Sequence, residues 1–92
     1  MIEFTGRRMN GHGSDHQGIA KLQWVNRQSG NSDLSDVRPT LVDFVRKNPG
    51  QSRVKDSSGK WAEVRVVEAQ PPYLRSYADG VPANNLLALP EI

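Results

Sequence analysis

His12 and His16 are the two imidazoles of the chain, four residues apart with Asp15 between them. On a helix that spacing would bring both rings to one face, as a zinc or nickel site requires. Gly11, Gly13, Ser14 and Gly18 oppose a helix here. Two imidazoles and one carboxylate also fall short of a filled coordination shell, so no metal is assigned. His16 is expected instead to hold its loop through a backbone hydrogen bond. Ser14, Asp15 and His16 are the residue types of a hydrolase triad, but consecutive side chains cannot meet in the relay geometry. The carboxylate pairs Asp33/Asp36 and Glu63/Glu68 have no spacing that points to shared acid–base work. Nucleophile elbow, Walker loop, dinucleotide fingerprint and EF-hand are all absent. No catalytic residue and no cofactor is assigned, and a non-enzymatic role is expected.

The aromatic and cationic residues offer more. Tyr73, Arg75 and Tyr77 alternate, so an extended segment places them on one face. Two aromatic rings flanking a guanidinium can stack a base, clamp a peptide or hold an acidic group. The plainer expectation is that Arg75 bonds to Asp79 or to a carboxylate on the neighbouring strand, while the tyrosines cover the edge of the core. Trp24 and Trp61 are expected in core or rim packing, and an exposed Trp61 would mark an interaction surface. The candidate binding surface is therefore Tyr73, Arg75, Tyr77 and Trp61.

These residues must be positioned by a small number of elements. Ninety-two residues suit one domain, residues 1–92, with a stability of about 5 kcal/mol at the low end for globular proteins. Ile2 and Phe4 alternate with Glu3 and Thr5, which predicts a half-buried strand over residues 2–8. A glycine-rich loop leads to a second strand over 19–26, with Ala20, Leu22 and Trp24 on one side. Residues 27–33 read as a turn-rich connection. Val37, Leu41, Phe44 and Val45 form one helical stripe, and a helix is predicted over 39–48 with Arg38 extended before Pro39. Asp43 and Lys47 can pair on its exposed side, and Pro49-Gly50 ends it. A hairpin follows, 52–56 and 61–68 about Ser57-Ser58-Gly59-Lys60, with Ala62, Val64 and Val66 sharing a face. Residues 73–77 are a final extended segment. Asp79-Gly80 turns the chain, and Asn84 is expected to cap one helical turn over 85–89 whose Leu86 and Leu89 return to the core.

Pro72-Tyr73-Leu74-Arg75-Ser76, Asp79-Gly80, Asn85-Leu86-Leu87 and Leu89-Pro90 resemble the C-terminal signature of an uncharacterised bacterial family of short proteins, a domain of unknown function. The likeness is strongest from Val64 onward and weaker through Phe4-Thr5-Gly6-Arg7-Arg8, His16, Trp24 and residues 42–45. The family pattern reads Asp-Asn-Leu where this chain has Asn84-Asn85-Leu86, and an asparagine can cap a helical turn as an aspartate does. The resemblance implies a compact single domain and brings no substrate with it.

Charge and composition bound the function. Twelve basic residues face ten acidic ones, and arginine outnumbers lysine eight to four without forming a basic block. Sequence-independent nucleic-acid affinity needs several clustered phosphate contacts, so nucleic acid is the competing class of partner rather than the favoured one. Cysteine is absent, which excludes disulfides, thiolate metal sites and a cysteine nucleophile and suits a reducing cytoplasm. The N-terminal residues lack an apolar core of the signal-peptide kind, and no run approaches the ~20 apolar residues needed to span a bilayer. The expected protein is cytoplasmic and does not engage a membrane. Its fold is α+β, a small antiparallel sheet of four to five strands in the order β-β-α-β-β-β packed against one short helix. Its expected role is a binding or accessory domain acting on a protein partner or its own copy, with a weak nucleic-acid-binding module as the alternative.

Overall fold

The computed structural model describes residues 1–11 and 15–92. Its seven strands, β1 (Ile2–Met9), β2 (Ile19–Asn26), β3 (Ser32–Asp36), β4 (Ser52–Lys55), β5 (Trp61–Val67), β6 (Tyr73–Ala78) and β7 (Val81–Ala83), form one sheet in the order β3-β2-β1-β4-β5-β6-β7. One short helix, α1 (Val42–Lys47), follows an irregular helical turn at Val37–Leu41. The class is α+β, as the sequence predicts, with two strands more than expected. Both additions lie at the sheet edges. Ser32-Asp33-Leu34-Ser35-Asp36 has a single apolar residue, and Val81-Pro82-Ala83 is three residues long with a proline in the middle, so neither shows an alternating pattern.

The sheet is mixed rather than wholly antiparallel. β1 pairs in parallel with β4, while every other pairing of named strands is antiparallel. Parallel neighbours need a long crossover. Here residues 37–51 supply it, carrying the chain from β3 at one edge across the sheet to β4 at its centre. Arg38 is extended (φ −113°, ψ 130°) ahead of Pro39, as expected from its place before a proline. Val37, Leu41, Val42 and Val45 are buried against Phe4, Ile19, Leu22, Val54, Ala62, Val64 and Leu74, forming the core. Phe44 is half-buried beside them. Asn48 Nδ2 donates to the Phe44 carbonyl and closes the helix. Asp43 pairs with Arg46, not Lys47, because Arg46 is already drawn across α1 by two hydrogen bonds to Glu68.

Turn chemistry follows the residues at each bend. Asp79 (φ 54°) and Gly80 (φ 78°) both take left-handed conformations in the two-residue link between β6 and β7, the geometry that Asp-Gly favours. Between β4 and β5, Asp56 Oδ1 accepts from the Ser58 hydroxyl and from the Lys60 and Ser58 backbone N–H groups. Those bonds, the Ser58 hydroxyl foremost, hold the Asp56 carboxyl below its ordinary value.

The C-terminal segment is stitched into the sheet. Arg7 N–H donates to the Pro90 carbonyl, Ile92 N–H donates to the Arg7 carbonyl, and Arg7 Nε donates to the Leu89 carbonyl. Residues 90–92 thus run parallel to β1, past the three-residue stretch at which β4 pairs with that strand. Gly6 makes the approach feasible, since a Cβ there would stand 3.0 Å from Gln23 Oε1 and 3.3 Å from Ile92 Cγ2. Leu86 is fully buried in the core, while Leu89 is half-buried. A turn does form over residues 84–88, the Ala88 N–H donating to the Asn84 and Asn85 carbonyls. The Asn84 side chain does not cap it, because Arg75 claims its oxygen, and Asn85 N–H donates to Ser76 Oγ instead.

Candidate functional site

Alternation along β4, β5 and β6 buries Ser52, Val54, Ala62, Val64, Leu74 and Ser76 on one face of the sheet. The residues between them, Arg53, Lys55, Trp61, Glu63, Arg65, Arg75 and Tyr77, share the other face, where they are half-buried or exposed. Antiparallel register sets their neighbours: Lys55 stands opposite Trp61, Arg53 opposite Glu63, Arg65 opposite Arg75 and Glu63 opposite Tyr77. The result is a surface of aromatic rings interleaved with cations.

Trp61 is 36% exposed. The Arg53 guanidinium carbon lies 3.8 Å from its ring centre and the Lys55 ammonium 4.7 Å away. Such contacts attract through the ring quadrupole and keep the indole face orderly at little cost in exposure. Arg53 is in turn fixed from β1. Glu3, its register partner in the parallel pair, accepts from Arg53 NH2 at 2.8 Å and from Arg27 Nε at 2.7 Å. Glu3 is 3% exposed, although its place in the alternation of β1 predicts a solvent-facing position. Burial opposes its charge, but the hydrogen bonds and charges of Arg53 and Arg27 together outweigh that penalty and hold the carboxyl below its ordinary value. Each carboxylate oxygen has one arginine, so both guanidinium groups keep further N–H donors free of Glu3.

The predicted residues Tyr73, Arg75 and Tyr77 share their face but do not act as one clamp. Arg65, rather than Arg75, lies over the Tyr77 ring at 5.0 Å. Tyr73 approaches His16, with ring centres 6.2 Å apart. Arg75 bonds to neither Asp79 nor a strand carboxylate. It donates to the Ala83 carbonyl at 3.4 Å and to Asn84 Oδ1 at 3.2 Å, because β7 folds back beside β6 and carries those acceptors to it. Asp79 instead takes Lys60 at 3.3 Å.

His16 lies in a single 3-10 turn, His16–Gly18, whose preceding Asp15 accepts from the Gly18 N–H. Its Nε2 is buried without a hydrogen-bond partner among the described residues. Burial, and secondarily the Arg75 charge, push the imidazole pKa below its ordinary value, with Asp15 opposing. A cavity of about 280 Å³ opens between His16, Gln17, Tyr73 and Arg75. A second, apolar notch of about 180 Å³ lies between Ile2, Trp24, Leu41 and Phe44, and the Trp24 indole N–H beside it is satisfied by Ser35 Oγ at 2.9 Å. Both are smaller than the ~300 Å³ at which small-molecule pockets usually begin. No group of three or more His, Cys, Asp or Glu side chains is arranged to hold a metal among the described residues. The His12 half of the histidine pair and the Ser14 of the apparent triad lie outside them.

Residues 8–90 match a family described as a protein of unknown function, DUF3892. The chain belongs to the DUF3892 family. No curated protein and no solved structure matches it. The DUF3892 match spans Arg27, Arg53, Lys55, Trp61 and all of β6, but begins beyond Glu3, the carboxylate that orients the two arginines. Sequence reasoning singled out Trp61 but missed its surroundings. The Lys55 contact could have been found, since the hairpin turn implies which residue faces Trp61. The Glu3 contacts could not, because they join residues 24 and 50 positions apart through a parallel pairing and a loop.

Proposed function

We propose that this DUF3892 chain is a non-enzymatic binding or accessory domain that recognises a protein partner through the sheet face centred on Trp61. The observation that carries the reading is an indole 36% exposed, with the Arg53 guanidinium 3.8 Å and the Lys55 ammonium 4.7 Å from its ring centre. Trp, Tyr and Arg are the residues that dominate binding energy at protein interfaces, and anchoring them before contact lowers the ordering cost. Arg53 is anchored by Glu3, and Tyr77 is overlaid by Arg65 on the same face.

Charge pairing favours a protein over a nucleic acid. On this face Arg27 and Arg53 share Glu3, Arg65 holds Glu63 and Lys60 holds Asp79. Nucleic-acid affinity depends on several clustered cations that release phosphate counterions, and Glu3, Glu63 and Asp79 interrupt the cations of this face. Pairing with a second copy edge to edge is also disfavoured. Edge strand β3 carries Asp33 and Asp36, the former accepting its neighbour's Leu34 N–H, and edge strand β7 contains Pro82.

A bacterial origin, as the C-terminal signature suggests, and a cytoplasmic location belong to the same proposal. The lack of cysteine agrees with the location, and among the described residues no helix is long and apolar enough to cross a membrane. The test is photo-crosslinking in the cells that make the protein, with benzoylphenylalanine replacing Trp61 and, as a control, Lys47 on α1. A protein adduct formed from position 61 but not from position 47 is expected. Adducts to nucleic acid alone, or identical adducts from both positions, would overturn the reading.

A further inference from the structure

Beside Trp61 the sheet face opens into a cavity of about 210 Å³, walled by the indole, Arg27, Lys55 and Glu3, with Leu89 in its apolar lining. Its volume admits a side chain rather than a drug-sized molecule. Glu3 pairs with both Arg27 and Arg53, and Lys55 stands beside Trp61, so the three cations exceed the one carboxylate by two positive charges. Arg27 gives its Nε to Glu3 and keeps its two terminal nitrogens, on a side chain that is 70% exposed. Lys55 is exposed and has no carboxylate within ion-pair distance among the described residues. Arg53 Nε is buried without a hydrogen-bond partner among the described residues.

From this arrangement we infer that the cavity is the seat for an acidic side chain of a peptide segment in the partner, a carboxylate reaching Arg27 and Lys55 while its methylene stem and an adjoining apolar residue lie against Trp61 and Leu89. The inference rests on the protein-binding reading above and names the chemistry of its ligand. A carboxylate on an aliphatic stem matches both halves of the site, cationic rim and apolar floor, and a charge-assisted hydrogen bond to an arginine is among the stronger contacts available. A polyanion fits less well. Its other phosphates would pass Glu63 and Asp79, which repel them, whereas an isolated carboxylate meets only the local excess of positive charge.

The test is a nitrogen–proton NMR titration of the full chain with a capped Glu-Leu-Glu-Leu-Glu peptide, its Gln-for-Glu counterpart, inorganic phosphate and a single-stranded oligonucleotide. Shifts of the Trp61 indole N–H and the Lys55 amide are expected with the glutamate peptide and not with the glutamine peptide. Lys55→Gln, an exposed change that leaves the Glu3 pairs intact, should weaken the glutamate peptide about tenfold, the size of one charged contact. Equal shifts with both peptides, no shifts with either, or shifts produced by phosphate or oligonucleotide in preference to the peptide would overturn the inference. If the glutamate peptide fails while position 61 still crosslinks to a protein, the acidic chemistry is wrong and the protein-binding reading stands. Loss of that crosslink removes both.

Discussion

Leu86→Ala isolates the contribution of the C-terminal segment to the core. Leu86 is fully buried, and its turn is tied to β6 by the Asn85 N–H bond to Ser76 Oγ, so the site is not free to move away from the change. Truncating a fully buried leucine costs about 2–5 kcal/mol, the transfer energy of the lost methyls plus the cavity left behind. That tie to β6 limits how far the turn can relax into the cavity, and a mid-range cost of about 3 kcal/mol is expected. Against a total of about 5 kcal/mol that is a large fraction. For a chain of this length it corresponds to a fall in melting temperature of about 15 °C. Urea unfolding followed by Trp fluorescence measures it, with Leu87→Ala as the half-buried comparison, expected to cost about 1 kcal/mol. If Leu86→Ala costs no more than Leu87→Ala, the segment is not part of the core and the packing argument fails.

Deleting residues 84–92 should abolish cooperative unfolding, since it also removes the backbone bonds from Arg7 to Pro90 and Ile92; a sharp melt at the parent temperature would refute this. His16, whose folded pKa lies below the ordinary 6.5, should make stability full above that value and decline as pH falls through it toward the folded pKa; His16→Gln should flatten the decline, and urea midpoints across that range decide. Glu3→Gln should cost about 1 kcal/mol, because the exposed Arg27 guanidinium can return to water and Arg53 keeps its contact with Trp61, whereas Arg27→Met with Arg53→Met should cost about 3 kcal/mol by leaving a buried carboxylate unpaired. Adding Glu3→Gln to that pair of substitutions should restore stability, and a triple variant no more stable than the double would show that Glu3 is not effectively buried.

β1, β2, β5 and β6 are legible because each alternates and has a recognisable boundary, as in Ala62, Val64 and Val66 after Gly59, while β4, with Val54 as its one apolar residue, is legible through the hairpin turn that follows it. Where alternation carried no apolar signal, as at Ser32–Asp36, the strand exists because β2 offers it an edge, which a local reading cannot register. The parallel placement of β4 beside β1 depends on where the crossover lands, and it brings Arg53 to Glu3 while the loop after β2 brings Arg27. Trp61 could be singled out by type, and its Lys55 neighbour by hairpin register. Arg75 was given the wrong acceptor because its true ones, Ala83 and Asn84, reach it only when the unpredicted β7 returns along β6.

The pairing of residues 90–92 with Arg7 carries a consequence for how the protein is made. A side-chain bond such as Arg8 to the Ile92 carbonyl spans 84 positions, and the edge of β1 that these residues occupy has no other strand to fill it beyond Phe4. At ~5–20 residues per second a ribosome needs on the order of ten seconds to synthesise that interval. Throughout it the first strand leaves part of its hydrogen-bonding edge unoccupied, so this part of the sheet closes later than the local hairpin β4–β5.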